Sequence, residues 1–530
     1  VGTIAVSHVG WRRPGGAELL TDVSFHVGNG EKVALVGANG VGKTTLVRLL
    51  SGELDGATGT VSIDGRLGVM RQLVGSIRDA TTVRQLLVEL APERIRRAGR
   101  SLIAAEAALA ERPDDATTAV AYAQALHDWG ETGGYDAEVF WDRVCTRGTG
   151  TGYAELETRP VSSFSGGEQK RLALTALLDG DHDVLLLDEP DNFLDIPGKR
   201  WLEEELRRSP KTVLYVSHDR ELLAATATKI VTIEAKGAWT HGGGFATYHE
   251  AREARLDRQS RDAAHYEDER QHLVELVNEM RRRAKISDTF APRLKAAETR
   301  LRHFDESNKP PELVREQRIT VRLRGDRTGK KALTIDALAL DDLTYPFSTE
   351  IWFGERVAVL GPNGAGKSHF LRLLAGDTTV EHEGSVTLGA RVVPGHFHQT
   401  NDHPELRGRR PLEVLLRHDV IRGPAMAMLR RYEIHGCAEQ PFETLSGGQQ
   451  ARLQILLLEL EGATMLLLDE PTDNLDLVSA EALETGLGEF QGTVLAVTHD
   501  RWFLRGFDRF LVFTAEGDVL DLLEPPELYR

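Results

Sequence analysis

GANGVGKTT at residues 37–45 is the stretch on which the fold turns, and GPNGAGKSH at residues 361–369 repeats it. Both satisfy G-x-x-x-x-G-K-[ST], in which a glycine-rich turn between a strand and a helix wraps backbone N–H groups around phosphates at a helix N-terminus. VALVG (33–37) and VAVLG (357–361) lead in as short apolar runs, as strands buried in a parallel sheet should read, and LVRLLSG and FLRLLAG follow with helical spacing. The loops predict that Lys43 and Lys367 reach the β- and γ-phosphates and that Thr44 and Ser368 bind Mg²⁺. Gly37, Asn39, Gly40, Gly42 and Thr45 should line one nucleotide, and Gly361, Asn363, Gly364, Gly366 and His369 the other. A glycine-rich turn that binds nothing is the alternative for either loop alone.

Three more motifs follow each loop in the same order. SFSGGEQ (163–169), VLLLDEP (184–190) and SHD (217–219) match TLSGGQQ (444–450), MLLLDEP (465–471) and THD (498–500). Ser165 to Asp188 and Ser446 to Asp469 are each 23 residues, and Ser165 to His218 and Ser446 to His499 are each 53. The chain is thus an internal repeat of one kit. Each DE pair closes an apolar strand, where a carboxylate is costly to bury without a metal partner. Asp188 and Asp469 suit the Mg²⁺ shell, and Glu189 and Glu470 suit positioning or polarising the attacking water.

With these motifs the chain resembles the ATP-binding cassette superfamily over almost its whole length, the SGG segment being the most specific part. The resemblance implies an α/β fold of two tandem cassettes meeting head to tail, each ATP lying between one phosphate loop and the opposite signature. Site one would pair Lys43, Thr44, Asp188, Glu189 and His218 with Ser446, Gly447 and Gly448. Site two would pair Lys367, Ser368, Asp469, Glu470 and His499 with Ser165, Gly166 and Gly167. His218 and His499 would sense the γ-phosphate, and Gln72 and Gln399 match the glutamine that reports nucleotide state beside the metal. ATP would act as glue and hydrolysis as release. Trp11 is a candidate to stack on the first adenine or a core tryptophan, with no counterpart placed in site two.

Composition bounds the rest. With 530 residues, 41% hydrophobic and 27% charged, the chain can build two or three cores. Cys145 and Cys437 lie in separate halves without metal spacing, which excludes a disulfide framework and a zinc site. There is no apolar run of about 18 residues, and the opening VGTIAVSHVGWRRPGG lacks the apolar core of a signal peptide. A soluble cytoplasmic protein is expected. Val1 in place of Met leaves the true start undefined.

The expected division is a first cassette over 1–245, a helical linker over 246–331 and a second cassette over 332–530. The linker is rich in Ala, Glu, Arg and Leu and reads as two long helices in a hairpin turning near 287–292. From Arg281 to Arg302 eight bases stand against Asp288 and Glu298, on a chain of net charge −17. Arg281, Arg282, Arg283, Lys285, Arg293, Lys295, Arg300 and Arg302 would make phosphate contacts with structured RNA. A solvated helix face is the alternative.

Two cassettes, no membrane segment and a charged helical linker resemble the ABC-F family. FATYHEAREAR resembles the entry into that family's linker helix. YAQALHDWGETGGYDAEVFWDRV (122–144) resembles its first-cassette helical region, where 43 residues beyond the second cassette's spacing look like an added helical pair around 100–144. The resemblance implies an ATPase that binds the ribosome, both rRNA and tRNA, through its linker near the peptidyl-transferase centre, working as a monomer. Its purpose would be protection from an antibiotic or rescue of stalled ribosomes. DEPDNFLD and DEPTDNLD depart from the family's DEPTNHLD at Asp191, Phe193, Asp473 and Asn474, and His369 replaces a common Ser or Thr. Both sites are expected to hydrolyse ATP, with nothing requiring equal rates, and the departures point to a divergent branch such as the resistance members. An efflux-transporter ATPase borrowing membrane subunits, and a DNA-associated cassette ATPase, are the readings from other classes.

Overall fold

The computed structural model describes residues 2–72, 74–287, 290–307, 319–323, 325, 328–398, 403 and 405–529. Two six-stranded sheets carry the repeat. In the first, the order is Leu67–Met70, Val184–Asp188, Thr212–Val216, Lys32–Val36, Lys229–Glu234, Gly237–His241, with only the last strand antiparallel. The second runs Pro394–Phe397, Met465–Asp469, Thr493–Val497, Arg356–Leu360, Arg509–Phe513, Val519–Leu522 with the same parallel and antiparallel pairings. A three-stranded antiparallel sheet flanks each, with Thr3–Arg12 or Lys331–Leu340 at its centre.

Parallel strands covered on both faces must be apolar throughout, which is why VALV and VLLL show no alternation. The alternation appears in what they touch. Val33, Leu35, Val184 and Leu186 face the core shared with the phosphate-loop helix Lys43–Leu50, whereas Ala34, Val36, Leu185 and Leu187 face the helical side. The strands Lys32–Val36 and Val184–Asp188, parallel with Thr212–Val216 between them, therefore deliver the phosphate loop and the DE pair to the same edge of the sheet.

The first cassette's additional helices are Glu93–Glu111 and Ala116–Glu131, an antiparallel pair, with Gly134–Thr149 as a third. The insertion is larger than the pair read around 100–144 because its first helix begins earlier and its third packs onto the signature helix Gly166–Asp179. Its core packs Trp129 against Trp141 at 5.9 Å and Trp141 against Tyr153 at 5.5 Å, both ring pairs tilted. The GGY segment follows from this. A Cβ on Gly134 would lie 2.0 Å from the Trp129 indole, and Gly133 at φ 81° starts the third helix from a left-handed turn.

Between the cassettes the helix Tyr248–Ala284 spans 37 residues, about 55 Å at 1.5 Å per residue. Ala291–Ser307 folds back along it, the turn falling where the sequence places it. Tyr266 stacks on Phe304 at 5.0 Å and Arg270 pairs with Asp305 at 2.9 Å. The hairpin is unequal, 17 described residues against 37. Its root belongs to the first cassette's core. Phe245 and Tyr248 are buried there, Tyr248 shares a 3.0 Å hydrogen bond with Thr232, and Glu234 holds both Arg252 and Arg255. Further on, Val321 and Leu323 are buried in the second cassette's helical core. Among the described residues no helix is long and apolar enough to cross a membrane.

Candidate active sites

The phosphate loops are shaped by glycines that no other residue replaces without strain. Gly37, Gly40 and Gly42 sit at φ 150°, 80° and 109°, and Gly361, Gly364 and Gly366 at 148°, 86° and 92°. A Cβ on Gly37 or Gly361 would also lie within 2.6 Å of a strand carbonyl. The turn leaves Lys43 buried, donating to the Gly37 and Ala38 carbonyls at 2.8 and 3.1 Å. Lys367 does the same to Gly361 and Pro362, both at 2.8 Å. Burial lowers both lysine pKa values against the pull of nearby carboxylates, so each ammonium is held in a place that a phosphate would compensate.

Asp188 ends its strand beside the Thr44 hydroxyl. Burial, and then the charge of Glu189, push its pKa up to about 6, and its Oδ1 is buried without a partner. Asp469 is raised by burial and is likewise bonded by Ser368. An orphaned buried carboxylate oxygen next to a hydroxyl, at the mouth of a phosphate loop, fits the oxygen-donor set that Mg²⁺ takes.

Glu189 and Glu470 adopt left-handed backbone, at φ 51° and 47°, an uncommon conformation for a side-chain-bearing residue and one that turns each carboxylate out of the strand. Their surroundings differ. Glu189 accepts from Gln72 Nε2 at 2.8 Å and Asn192 Nδ2 at 2.7 Å, while its carbonyl accepts from the buried Lys170 at 2.7 Å. Glu470 is buried, accepts from the His499 backbone N–H at 3.0 Å, and lies 3.4 Å from the His499 imidazole. Burial and the charges of Asp473 and Asp469 push its pKa up to about 8. Both imidazoles are held neutral. Burial and the Lys43 charge lower His218 to about 3, with both ring nitrogens unpartnered. His499 is lowered by burial, Lys367 and Lys199, and its Nε2 lies 3.2 Å from Asn363 Oδ1.

Each site is completed from the opposite half. A cavity of about 390 Å³ has Lys43, Thr44, Gln72, Glu189 and His218 on one wall and Ser446, Gly447 and Gly448 on the other. A second, of about 370 Å³, has Lys367, Ser368, His369, Glu470 and His499 facing Ser165, Gly166 and Gly167. Ser446 and Ser165 each cap a signature helix in a capping box, so two helix N-termini point at the two cavities. The SGG glycines admit close contact. A Cβ on Gly448 would lie 2.1 Å from Asn39 Nδ2, and one on Gly166 2.7 Å from the Gly75 carbonyl.

The seam itself is reciprocal. Asn39 Nδ2 donates to the Asn474 carbonyl at 2.7 Å, and Asn363 Nδ2 to the Phe193 carbonyl at 3.2 Å. Arg220 pairs with Glu484, and its repeat equivalent Arg501 pairs with Glu203. Ile196 packs into the second cassette's sheet core, and Leu477 against the first cassette's. The two halves of the chain therefore meet head to tail.

The comparisons agree with this architecture. A family model described as ABC transporter matches residues 20–192 and 345–473. A protein of Mycobacteroides abscessus named antibiotic resistance protein is 50% identical over 98% of this chain and 99% of its own length. ABC transporter F family member 3 of Arabidopsis thaliana is 30% identical over 95% of this chain and 72% of its own. The chain belongs to the ABC-F family. A chain in a model of ribosome-bound archaeal Pelota and ABCE1 has the same fold, with a TM-score of 0.56 at 19% identity over 97% of this chain and 78% of that one. This ABC-F protein is an ATPase with two ATP-binding cassettes.

Most of the residues read from the sequence of this ABC-F protein are found at the two cavities. Gln399 lies outside the described residues. Trp11 lines the first cavity, its indole N–H donating to the Asp55 carbonyl at 3.2 Å, and no aromatic from the corresponding strand lines the second. The eight basic linker residues are exposed at the hairpin's far end. Arg281 pairs with Glu298 at 2.8 Å, Arg283 pairs with Glu279, and Arg283 and Arg293 lie over the Phe290 ring. Sequence reading missed Lys170, Asn192 and Lys199. Lys170 stands one residue beyond the quoted SFSGGEQ, and Asn192 lies inside DEPDNFLD. Lys199 had no local signal.

Proposed function

We propose that this ATPase binds the ribosome with ATP·Mg²⁺ closed between its cassettes and directs the hairpin tip toward tRNA or the peptidyl-transferase region. Its purpose, on this reading, is to protect translation from an antibiotic. The observation that carries the reading is that each cavity needs residues from both halves. A γ-phosphate held between a phosphate loop and the opposing signature helix joins the halves, and hydrolysis removes that joint. Lys43, Thr44 and Asp188, with Lys367, Ser368 and Asp469, are the assigned phosphate and Mg²⁺ ligands. Glu189 and Glu470 polarise the attacking water, and His218 and His499 contact the γ-phosphate.

The moving bodies would be residues 1–245 and 332–530, with 246–331 between them. The linker root is fastened to the first cassette, and His249 comes within 3.8 Å of Glu481 in the second, so the seat of the hairpin depends on closure. The tip concentrates positive charge on an acidic chain, which favours phosphate contacts without base readout. The name of the 50% identical relative, antibiotic resistance protein, supports the resistance purpose. A cytoplasmic monomer is the corresponding state.

Co-sedimentation of the Glu189→Gln, Glu470→Gln variant with 70S ribosomes, with and without ATP, tests the reading. Retention that requires ATP is the expected result. Reversing Arg281, Arg282 and Arg283 to Glu should then weaken retention and flatten its salt dependence. Partition to membranes or duplex DNA instead would overturn the ribosome reading and leave the ATPase standing.

A further inference from the structure

Among the described residues Lys199 is the one cationic side chain that lines both ATP cavities, alongside Asp191 and Asp473. It stands in the first turn of the helix Ile196–Arg208 and is 7% exposed. Its Nζ lies 2.9 Å from Asp219 Oδ2 and donates to the His499 carbonyl at 3.1 Å. Asp219 follows His218 of site one, and His499 belongs to site two. A single ammonium therefore spans the two turns that carry the switch histidines, one in each cassette.

Its surroundings crowd it with carboxylates. Asp191, 5% exposed, has an unpartnered Oδ1, and Asp473 and Asp500 complete an acidic ring, all four carboxylates acting on the same cation. Burial and mutual repulsion raise Asp191 and Asp473, to about 7 and about 6, while Arg220 lies 3.4 Å from Asp500 and Arg501 acts on Asp219. The repeat equivalent of Lys199 is Ala480, and that of Asp191 is Thr472. The bridging cation is therefore supplied once, from the first cassette. A buried ion pair is weak support for stability, and its better attested use is to specify one arrangement over another.

We propose that Lys199 is a positioning residue that couples the two ATP sites, transmitting the state of one switch-histidine turn to the other through its shared ammonium. This rests on the site assignments above. When the turn at one site shifts on losing its γ-phosphate, the ammonium loses one of its two anchors, and the opposite turn is released from the same point. Coupling of this kind is a free energy between sites and is measured as such.

The test is a double-mutant cycle on steady-state ATP hydrolysis by the full chain, combining Glu470→Gln with Lys199→Met. With Lys199 present, Glu470→Gln should hold the halves closed and depress total turnover by about tenfold or more, well beyond the loss of one site. With Lys199→Met, the same block should cost only about twofold, and Lys199→Arg should restore the larger effect. A merely structural lysine would lower turnover with and without the block by the same factor, and that result overturns the proposal. If Lys199→Met does not fold, Lys199→Met with Asp191→Thr removes the cation together with one of the buried carboxylates that act on it and reads out the same ratio, with the same two outcomes. If Glu470→Gln leaves hydrolysis at full rate with Lys199 intact, the site assignment falls and the proposal with it.

Discussion

The two ATP sites are built from one repeated kit and are not the same site. Their frames superimpose in logic, since Asn39 and Asn363, and Arg220 and Arg501, make reciprocal contacts across the seam, and Ser446 and Ser165 each cap the signature helix that faces the opposite half's cavity. Their centres differ. Site one holds Glu189 between Gln72 and Asn192 and fastens its carbonyl to Lys170. Site two buries Glu470 against His499, and the repeat equivalents of Lys170 and Asn192 are Ala451 and Asp473. The seam demands symmetry because each half must fit the other. The interior of each half is free to vary, and there the chemistry has diverged.

The largest effects should come from the glutamates. Glu189→Gln with Glu470→Gln should lower steady-state hydrolysis by at least about a hundredfold, the usual scale for losing a general base. The single variants should be unequal. With Glu470 raised to about 8, the site it serves should gain activity as pH rises from 7 to 9, which a pH profile of the Glu189→Gln variant would reveal. The Glu470→Gln profile should lack that rise. The same shift carries a stability cost of definite sign. Below pH 8 the folded chain keeps a proton that the unfolded chain releases above its ordinary 4.5, so this group's contribution to stability falls as pH climbs through that window. Chemical denaturation of Glu470→Gln at pH 6 and 8.5 should show a smaller pH dependence than the parent.

The pairing across the seam is the next contrast. Ser446→Arg places a bulky cation in the cavity of Lys43, and Ser165→Arg in that of Lys367. Each should cost about a hundredfold at the opposite cassette's site, the scale for losing a preorganised donor, and leave the other site's nucleotide binding in place. Photocrosslinking of an ATP analogue, mapped to each phosphate loop, reads this directly. Damage on the same cassette as the substitution would refute the head-to-tail arrangement.

A smaller effect should follow from Lys170→Ala, which gives the first cassette the residue of the second. Loss of one hydrogen bond to the Glu189 carbonyl is worth about 1 kcal/mol, or about fivefold. The loss should appear in kcat when site two is silenced by Glu470→Gln, and vanish when site one is silenced by Glu189→Gln. Equal losses in both backgrounds would mean that Lys170 supports the fold and not the site.

How much could be read in advance varied with distance along the chain. The phosphate loops, the DE strands and the signature helices are local patterns, each set by residues within about ten positions, because a glycine turn or a buried strand is decided by its neighbours. The basic hairpin was legible for the same reason, with its turn between Ala284 and Ala291. The first cassette's insertion was underestimated at its start, because the helix from Glu93 is charged at five of its first eight positions and buries only Ala98, Gly99 and Leu102.

By itself, the sequence determined the tandem α/β cassettes, the nucleotide chemistry and the place of each catalytic candidate on a strand end or helix start. Only the tertiary structure decided what lies opposite. Asn39 meets Asn474, Arg220 meets Glu484 and Lys199 meets His499 across several hundred residues. No local period encodes such partners. They are selected by burial at the seam, where a lysine without a carboxylate or a carboxylate without a cation would be too costly to keep.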